Sequence, residues 1–452
     1  MKVTAVLLAA GQGTRMKSSL PKVLHAVCGK PMLAYALEVA CSASTEKPVV
    51  VVGTDGEALQ TFLGDAACCI LQDPPLGTGH AVQQAESSLR GKTDLVLVTY
   101  ADMPLLRPET LARLIEAQKR NPGPMTMLSV IADDPRGFGR VVRSPDGSVR
   151  AIVEEAAATP EQLGIRELNV GAYCFSADWL WDALHQIPLS KKGEYYLTDT
   201  VELAVKAGLP VKALVSDDLA EMIGINTRVH LAEAEAAMRM RINRLHMLAG
   251  VTIVDPRVTY IEPNVIIGRD TIIWPNTYLR GKTTIGEGCT IGPNTIAQDT
   301  TIGSGCEILA AVMEKAIVED NVSIGPFARL RNGAHLCEGV HMGNFGEVKD
   351  STLGPGTKMG HFSYLGNATV GADVNIGAGT ITCNYDGVNK NPTEIGEGAF
   401  IGSDTMLVAP VKVGAHAKTG AGAVVIKDVE ANMLVVGVPA RPIRKLNEAK
   451  NE

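Results

Sequence analysis

The sequence predicts two domains of different kinds, an open α/β domain with a mostly parallel sheet and then a parallel β-helix. Three observations carry this. Strand-like and helix-like runs alternate through the first 227 residues, an aliphatic-glycine pair recurs at steps of six in the second half, and glycine is unevenly shared. Of the 46 glycines, 27 fall in 251–442 and 19 precede them. A chain of 452 residues accommodates two or three domains at ~150 residues each.

In chain order, the strand-like runs Val3–Ala9, Val49–Val52 and Leu95–Val98 alternate with helical stretches over Met32–Ser42, Ala81–Leu89 and Glu109–Lys119. That alternation is the pattern of a Rossmann-like α/β fold. Val229–Leu248 is rich in Ala, Glu, Met and Arg, carries few breakers, and reads as a connecting helix ending at Gly250. The expected division is therefore 1–227, a helical linker 228–250, and 251–452.

From Val251 onward the pairs Ile285-Gly286 and Ile291-Gly292, Leu353-Gly354, Met359-Gly360 and Leu365-Gly366, and Ile395-Gly396 and Ile401-Gly402 follow a six-residue step. Six is neither a helix stripe nor plain strand alternation, and fits a solenoid in which each hexapeptide supplies a short strand and a corner. The aliphatic residue points inward; glycine takes the corner, expected to need positive φ. Three hexapeptides complete a triangular coil, the left-handed parallel β-helix of hexapeptide-repeat proteins. The phase lapses from Ala310 to Val322 and again between Ile381 and Ile395, where loops are expected to leave the coil and function to gather.

Charge and hydropathy exclude several classes. Lys plus Arg number 42 against 49 Asp plus Glu, a net charge of −7 without a dense basic run, which argues against nucleic-acid or membrane-surface partners. No window reaches the ~18 apolar residues of a membrane span. The apolar N-terminus runs straight into a glycine turn and reads as a buried strand, not a signal peptide. The nine cysteines are scattered, without C-x-x-C spacing, as in a cytoplasmic protein with reduced thiols.

The strand Val3–Leu8 leads into Ala9-Ala10-Gly11-Gln12-Gly13-Thr14-Arg15-Met16 and then Pro21-Lys22. A glycine turn after a strand lets backbone N–H groups approach phosphate, and two cations supply charge. The spacing is neither a Walker A loop nor G-x-G-x-x-G. The whole string resembles the signature of the sugar-phosphate nucleotidyltransferases, and further matches come in the family's order. Gln72 with Leu76-Gly77-Thr78-Gly79-His80 resembles its base- and ribose-binding segment. Tyr100-Ala101-Asp102 resembles the strand end bearing its metal-binding aspartate. Gly139, Glu154, Asn169 and Asn226 fall where the family contacts sugar and holds a second metal ligand. The resemblance implies Leu8, Ala9, Ala10, Gly11, Arg15 and Lys22 around a UTP molecule, with Asp102 and Asn226 on Mg²⁺.

In the second half, Met359 points inward by repeat phase, so His361 is expected to project outward, which leaves it an ordinary surface histidine or a base. Around it lie Arg331, Lys349, Tyr364, Asn375 and the Asn384-Tyr385-Asp386-Gly387 loop. Cations for a phosphate, a base for an ammonium and polar donors for a thioester oxygen suit an acyl transfer to an amine substrate that bears a phosphate.

These strings closely resemble the bacterial bifunctional family that is both N-acetylglucosamine-1-phosphate uridylyltransferase and glucosamine-1-phosphate N-acetyltransferase, over essentially the whole chain. The resemblance implies His361 as general base, Arg331, Lys349, Tyr364 and Asn375 on glucosamine-1-phosphate, and Ala378, Asn384, Tyr385, Ser403 and Ala421 on acetyl-CoA. It also implies a homotrimer whose product, UDP-N-acetylglucosamine, supplies peptidoglycan and lipopolysaccharide synthesis. Four positions depart from the family. Ala101 replaces a glycine, Val170 a threonine, and Glu154-Glu155-Ala156-Ala157 an E-x-K-D string, while Gly437 stands at a coenzyme-contacting arginine, which is not carried over. Two other readings compete. One is a nucleotidyltransferase whose solenoid only trimerises it, disfavoured by His361, Lys349 and the Asn384–Gly387 loop. The other is a non-catalytic regulatory subunit, disfavoured by Arg15, Lys22 and Asp102 together.

Overall fold

The computed structural model describes residues 1–53 and 56–445, in two compact units, Met1–Met238 and a second beginning at Arg239. The first is built on one sheet. Its main path runs Val211–Ser216, Met125–Ile131, Glu167–Ser176, Leu95–Tyr100, Val3–Ala9, Val49–Val52, Cys68–Leu71. The central strands are valine- and leucine-rich with no polar alternation, because both faces are covered. Leu7, Val50 and Leu97 enter the core on one face, and Val6, Val51 and Val96 the core on the other.

Two elements depart from the sequence reading. The stretch Ala81–Leu89 is two short helices, Thr78–Gln83 and Glu86–Leu89. The long strand Glu167–Ser176, not among the expected strands, runs antiparallel to both of its neighbours in the path. Its register shifts between Asn169 and Tyr173. Gly171 sits inside that irregularity at φ +90°, where a Cβ would lie 2.7 Å from the Tyr100 ring. A helix spans Arg228–Leu248.

The second unit is the left-handed parallel β-helix. Three sheets run its length, and successive strands of each are three apart in chain order, as a triangular coil requires, until Lys418–Thr419 pairs with Met433–Val436, which in turn pairs antiparallel with Arg441–Lys445. The inward aliphatics are buried: Ile285, Ile291, Ile302, Met359 and Ile401 are each 3 % exposed or less.

The repeat glycines correct the corner expectation. Most have no positive φ; Gly292 and Gly325 do. Most of them are required by coil-to-coil approach, Gly360 excepted, which has nothing within 4 Å of a Cβ. A Cβ on Gly268, Gly286 or Gly354 would stand 2.6 Å from the backbone carbonyl carbon of Gly286, Gly303 or Gly371 on the next coil. Left-handed corners fall instead to glycines off the repeat pair, such as Gly281 and Gly288, and to Asp270, Asn276, Asn294, Asp373 and Asp404, whose short polar side chains tolerate αL.

The lapse at 310–322 also reads differently in three dimensions. No loop leaves the coil there; the strands Val312–Glu314 and Ile317–Val318 keep their places, and the coil shortens, so that Ile308 pairs with Ile324. The second lapse is a true excursion: Val370 pairs with Ile395, and the inserted segment folds back through a Tyr385–Lys390 bridge.

Candidate functional sites

In the first unit, two adjoining chambers of 470 and 390 Å³ open at the carboxyl ends of Val3–Ala9 and Leu95–Tyr100, the place where α/β sheets bind ligands. Thr78, Tyr100, Asp102 and Tyr196 line both. Leu8, Ala9, Ala10, Gly11, Lys22, Gln72 and Gly77 face the first; Arg15, Gly139, Glu154, Asn169 and Asn226 face the second. Ala101 faces neither. It is fully buried in the hydrophobic core, so the methyl that distinguishes it from glycine points into packing.

The glycine turn is shaped for Lys22. Gly13 is left-handed at φ +60°, and a Cβ on it would meet Lys22 Cβ at 2.6 Å. Gly11 has nothing within 4 Å and lines the first chamber. So held, Lys22 Nζ donates to Asp102 Oδ2 at 2.5 Å and Asn226 Oδ1 at 3.2 Å. Asp102 and Asn226, 124 residues apart in the chain, thus aim their oxygens at one point. The backbone reinforces this, because Ile225 N–H donates to the Asp102 carbonyl at 3.0 Å.

The wall around Gln72 and Gly77 is a hydrogen-bonded set. Gln72 Nε2 reaches the Gly77 carbonyl at 2.9 Å and His80 Nδ1 at 3.1 Å, and burial holds His80 below the usual histidine range. Gly77, at φ +99°, admits no Cβ because the Tyr195 carbonyl would be 2.7 Å away. Tyr195 in turn clamps the segment, donating from its N–H to Leu76 O and accepting from Gly79 N–H, both at 2.8 Å. Glu154 accepts from Thr198 Oγ1 at 3.1 Å. Burial, then the Glu154 and Asp102 carboxylates, push the Tyr100 phenol well above its ordinary range, so it stays a neutral wall. Asn169 is 7 % exposed and spends its amide on Tyr173 Oη at 2.7 Å.

In the β-helix, His361 is exposed while Met359, two residues earlier, is fully buried. Carrying the strand register through the corner aligns His361, Ala378, Ser403 and Ala421 on four successive coils. Hydrogen bonds across that corner fit the alignment: Gly379 N–H to Phe362 O at 2.7 Å, Asp404 N–H to Ala378 O at 2.6 Å, Gly422 N–H to Ser403 O at 2.8 Å.

The sheet beside it carries Arg331, Lys349 and Tyr364. Arg331 donates to Glu347 Oε1 at 2.9 Å, and Glu347 pairs with Tyr364 in register. Lys349 is 3.6 Å from Asp350 and also neighbours Lys390, whose pKa it lowers by competing for charge. Asn375 lies on the adjoining sheet. Asn384 is fastened to Asn367 Oδ1 at 2.7 Å, while Tyr385 stands 62 % exposed with its hydroxyl donating to Gly387 O at 2.6 Å.

Several chamber or cluster residues were not among the sequence candidates, among them Pro75, Glu194, Tyr196, Thr198 and Lys390. Glu194 and Tyr196 come from a loop more than a hundred residues beyond Gly77, and no local pattern marks them. Lys390 is at the end of the excursion, and its approach to Lys349 results from the fold-back.

Known proteins divide in the same way. Residues 5–193 match the MobA-like NTP transferase domain; 264–297 and 392–427 match the bacterial transferase hexapeptide (six repeats), and 282–313 the hexapeptide repeat of succinyl-transferase. The chain is 49 % identical over 436 residues to the bifunctional protein GlmU of Heliobacterium modesticaldum, covering 96 % of this chain and 95 % of that one. It is 46 % identical to the protein of that name from Geobacillus sp. WCH70, over 99 % and 97 % of the two chains. Against that of Shouchella clausii it is 42 % identical over 99 % of both.

Proposed function

The chain belongs to the family of bifunctional GlmU proteins, and on that premise we propose how its residues divide the two reactions. It is a nucleotidyltransferase and an acyltransferase in one chain. It acetylates glucosamine-1-phosphate from acetyl-CoA and transfers UMP from UTP to N-acetylglucosamine-1-phosphate, giving UDP-N-acetylglucosamine and pyrophosphate. The domains proposed are 1–227 for uridylyl transfer and 251–452 for acetyl transfer, joined by a helical linker over 228–250.

The observation that carries the uridylyl assignment is the convergence of Asp102, Asn226 and Lys22. Two hard oxygen donors aimed at one cation position suit Mg²⁺. When bound, Mg²⁺ supplies charge neutralisation across phosphate oxygens. The chain's own groups do the rest. Backbone N–H groups of Ala9–Gly11 and the side chains of Arg15 and Lys22 hold the triphosphate; Gln72 and the Gly77-Thr78 segment hold the base. Gly139, Glu154 and Asn169 place the sugar so that its phosphate oxygen meets the α-phosphorus in line, with pyrophosphate leaving.

At the β-helix site, Arg331, Lys349 and Lys390 hold the sugar phosphate, with Tyr364 and Asn375 on the sugar. His361 takes a proton from the ammonium, the freed amine attacks the thioester carbonyl, and the C–S bond breaks as the nitrogen loses a second proton, which the departing coenzyme A thiolate takes up. Ala378, Ser403 and Ala421, in line with His361, and Asn384 with Tyr385, carry acetyl-CoA. The β-helix works as a homotrimer. Phe327 and Phe345, stacked at 5.3 Å yet 62 % and 59 % exposed, support association through an apolar patch. Among the described residues no helix is long and apolar enough to cross a membrane. The enzyme acts in the cytoplasm, where UTP and acetyl-CoA are made, and its product feeds cell-wall precursors.

The test is incubation with glucosamine-1-phosphate, acetyl-CoA, UTP and Mg²⁺. UDP-N-acetylglucosamine is the expected product; N-acetylglucosamine-1-phosphate accumulating without it, or no acetylation, would overturn half of the assignment.

A further inference from the structure

On the coils that precede His361, one outer face of the β-helix gathers three different ligand side chains. Glu319 comes directly after the strand Ile317–Val318, and His335 and Cys337 belong to the next coil, in and just after Ala334–Leu336. The two strands pair in parallel with Ile317 opposite His335 and Val318 opposite Leu336, which brings Glu319 beside Cys337. His335 Nε2 is 2.7 Å from Glu319 Oε1, and Cys337 Sγ is 4.0 Å from His335 Nε2. One carboxylate oxygen, one imidazole nitrogen and one sulfur all lie within 4.8 Å of one another.

We propose that Glu319, His335 and Cys337 form a zinc-class transition-metal site that ties two successive coils of the β-helix together. The donor set is the reason. Mixed S, N and O ligation in tetrahedral array is characteristic of Zn²⁺, at about 2.3 Å to sulfur and about 2.0–2.2 Å to nitrogen and oxygen. Tetrahedral bonds of those lengths put ligand atoms about 3.3–3.6 Å apart. The spacings of 2.7 and 4.0 Å at His335 need to open and close by only about half an ångström to reach that range.

The surroundings suit the role. Glu338 N–H donates to Glu319 Oε2 at 3.0 Å, which holds the carboxylate with Oε1 toward the histidine, as an outer-shell contact does in metal sites. By register, Gly303 and Gly354 flank Glu319 and Cys337 on the neighbouring coils, which leaves room on that side for a water at the fourth position, while Ile317 and Thr352 flank His335. All three residues are half-buried, shielded enough for the ligands to be held and open enough for entry. Metal entry breaks the His335–Glu319 hydrogen bond and releases the thiol proton to solvent, with the thiolate, imidazole and carboxylate forming the three bonds. Because the ligands come from two coils, the ion stabilises the folded solenoid by binding it preferentially over the unfolded chain.

The full-length protein, stripped with chelator and kept in excess Mg²⁺ to fill the oxygen site at Asp102, is titrated with Co²⁺ and followed by absorption. The expected result is one equivalent bound per chain, with tetrahedral visible bands and a near-ultraviolet thiolate-to-cobalt band, both displaced by Zn²⁺. Cys337→Ser should abolish the thiolate band, and His335→Gln should weaken binding ~10-fold or more; both variants should keep both transferase activities. Failure to saturate at one equivalent, a band that survives Cys337→Ser, or undiminished affinity in His335→Gln would each overturn the proposal.

Discussion

Lys22 Nζ stands 2.5 Å from Asp102 Oδ2 and 3.2 Å from Asn226 Oδ1, filling with a protein cation the point on which the two oxygen donors converge. On the proposed Mg²⁺ assignment, a divalent ion would compete with Lys22 for that point, and its binding would free Lys22 toward the triphosphate. Lys22→Met should therefore bind Mn²⁺ without nucleotide at least ~10-fold more tightly, about 1.4 kcal/mol, while losing uridylyl turnover. Asp102→Ala should abolish both metal binding and uridylyl transfer and leave acetyl transfer near wild type. Equilibrium titration followed by paramagnetic resonance decides it; weaker Mn²⁺ binding in Lys22→Met would refute the competition.

His361 shares its corner with Ala378, Ser403 and Ala421 on consecutive coils, which places it against the proposed coenzyme track. General-base catalysis is worth ~10²–10⁴-fold, so His361→Ala should lose that much acetyltransferase kcat. The KM for glucosamine-1-phosphate should change less, because Arg331 and Lys349 are proposed to hold the phosphate. Uridylyl transfer in the same preparation should be unchanged. Acetyl transfer within threefold of wild type would remove His361 from the mechanism.

The two glycine roles in the β-helix separate by substitution. Gly286 has no room for a Cβ, with the Gly303 carbonyl carbon and Ser304 Oγ both at 2.6 Å, whereas Gly288 is left-handed at φ +65° with nothing within 4 Å. Gly286→Ala should destabilise by ~1–3 kcal/mol through overpacking. Gly288→Asn should stay within ~0.5 kcal/mol, since asparagine tolerates αL. Denaturant unfolding of the two variants measures both; equal losses would sink the distinction.

Asp199 gives a pH signature. Burial first, then Glu202 and Glu154, push its carboxyl up to about 6 from 3.8. A carboxyl raised in the folded state opposes folding only when ionised. The penalty is nil below about pH 4, grows as pH rises toward 6, and is complete above it. Asp199→Asn should add roughly 1–2 kcal/mol at pH 7.5 after allowing for solvent screening, and little at pH 4. Thermal melts at the two pH values test the sign.

Much of this protein was legible in one dimension because its repeats are local. A period of six places each inward aliphatic without knowledge of any distant residue, and the strand Val3–Ala9 with its glycine turn is a contiguous signal. The site residues that a motif string carries, from Gly11 and Lys22 to Asp102 and His361, could be named for the same reason. Only the tertiary structure decided why repeat glycines such as Gly268, Gly286 and Gly354 are glycine, since the obstacle is the backbone of the next coil and not a torsion. It likewise decided that the coil at 310–322 shortens without looping out, because pairing tolerates a tighter corner. Glu194, Tyr196 and Lys390 reach their sites by chain reversals that no local pattern encodes. The Glu319–His335–Cys337 cluster escaped a search for cysteine spacing because its ligands meet across neighbouring coils. Neighbours in the chain determine strands, turns and repeat phase; contacts between segments brought together by folding are determined only by the fold.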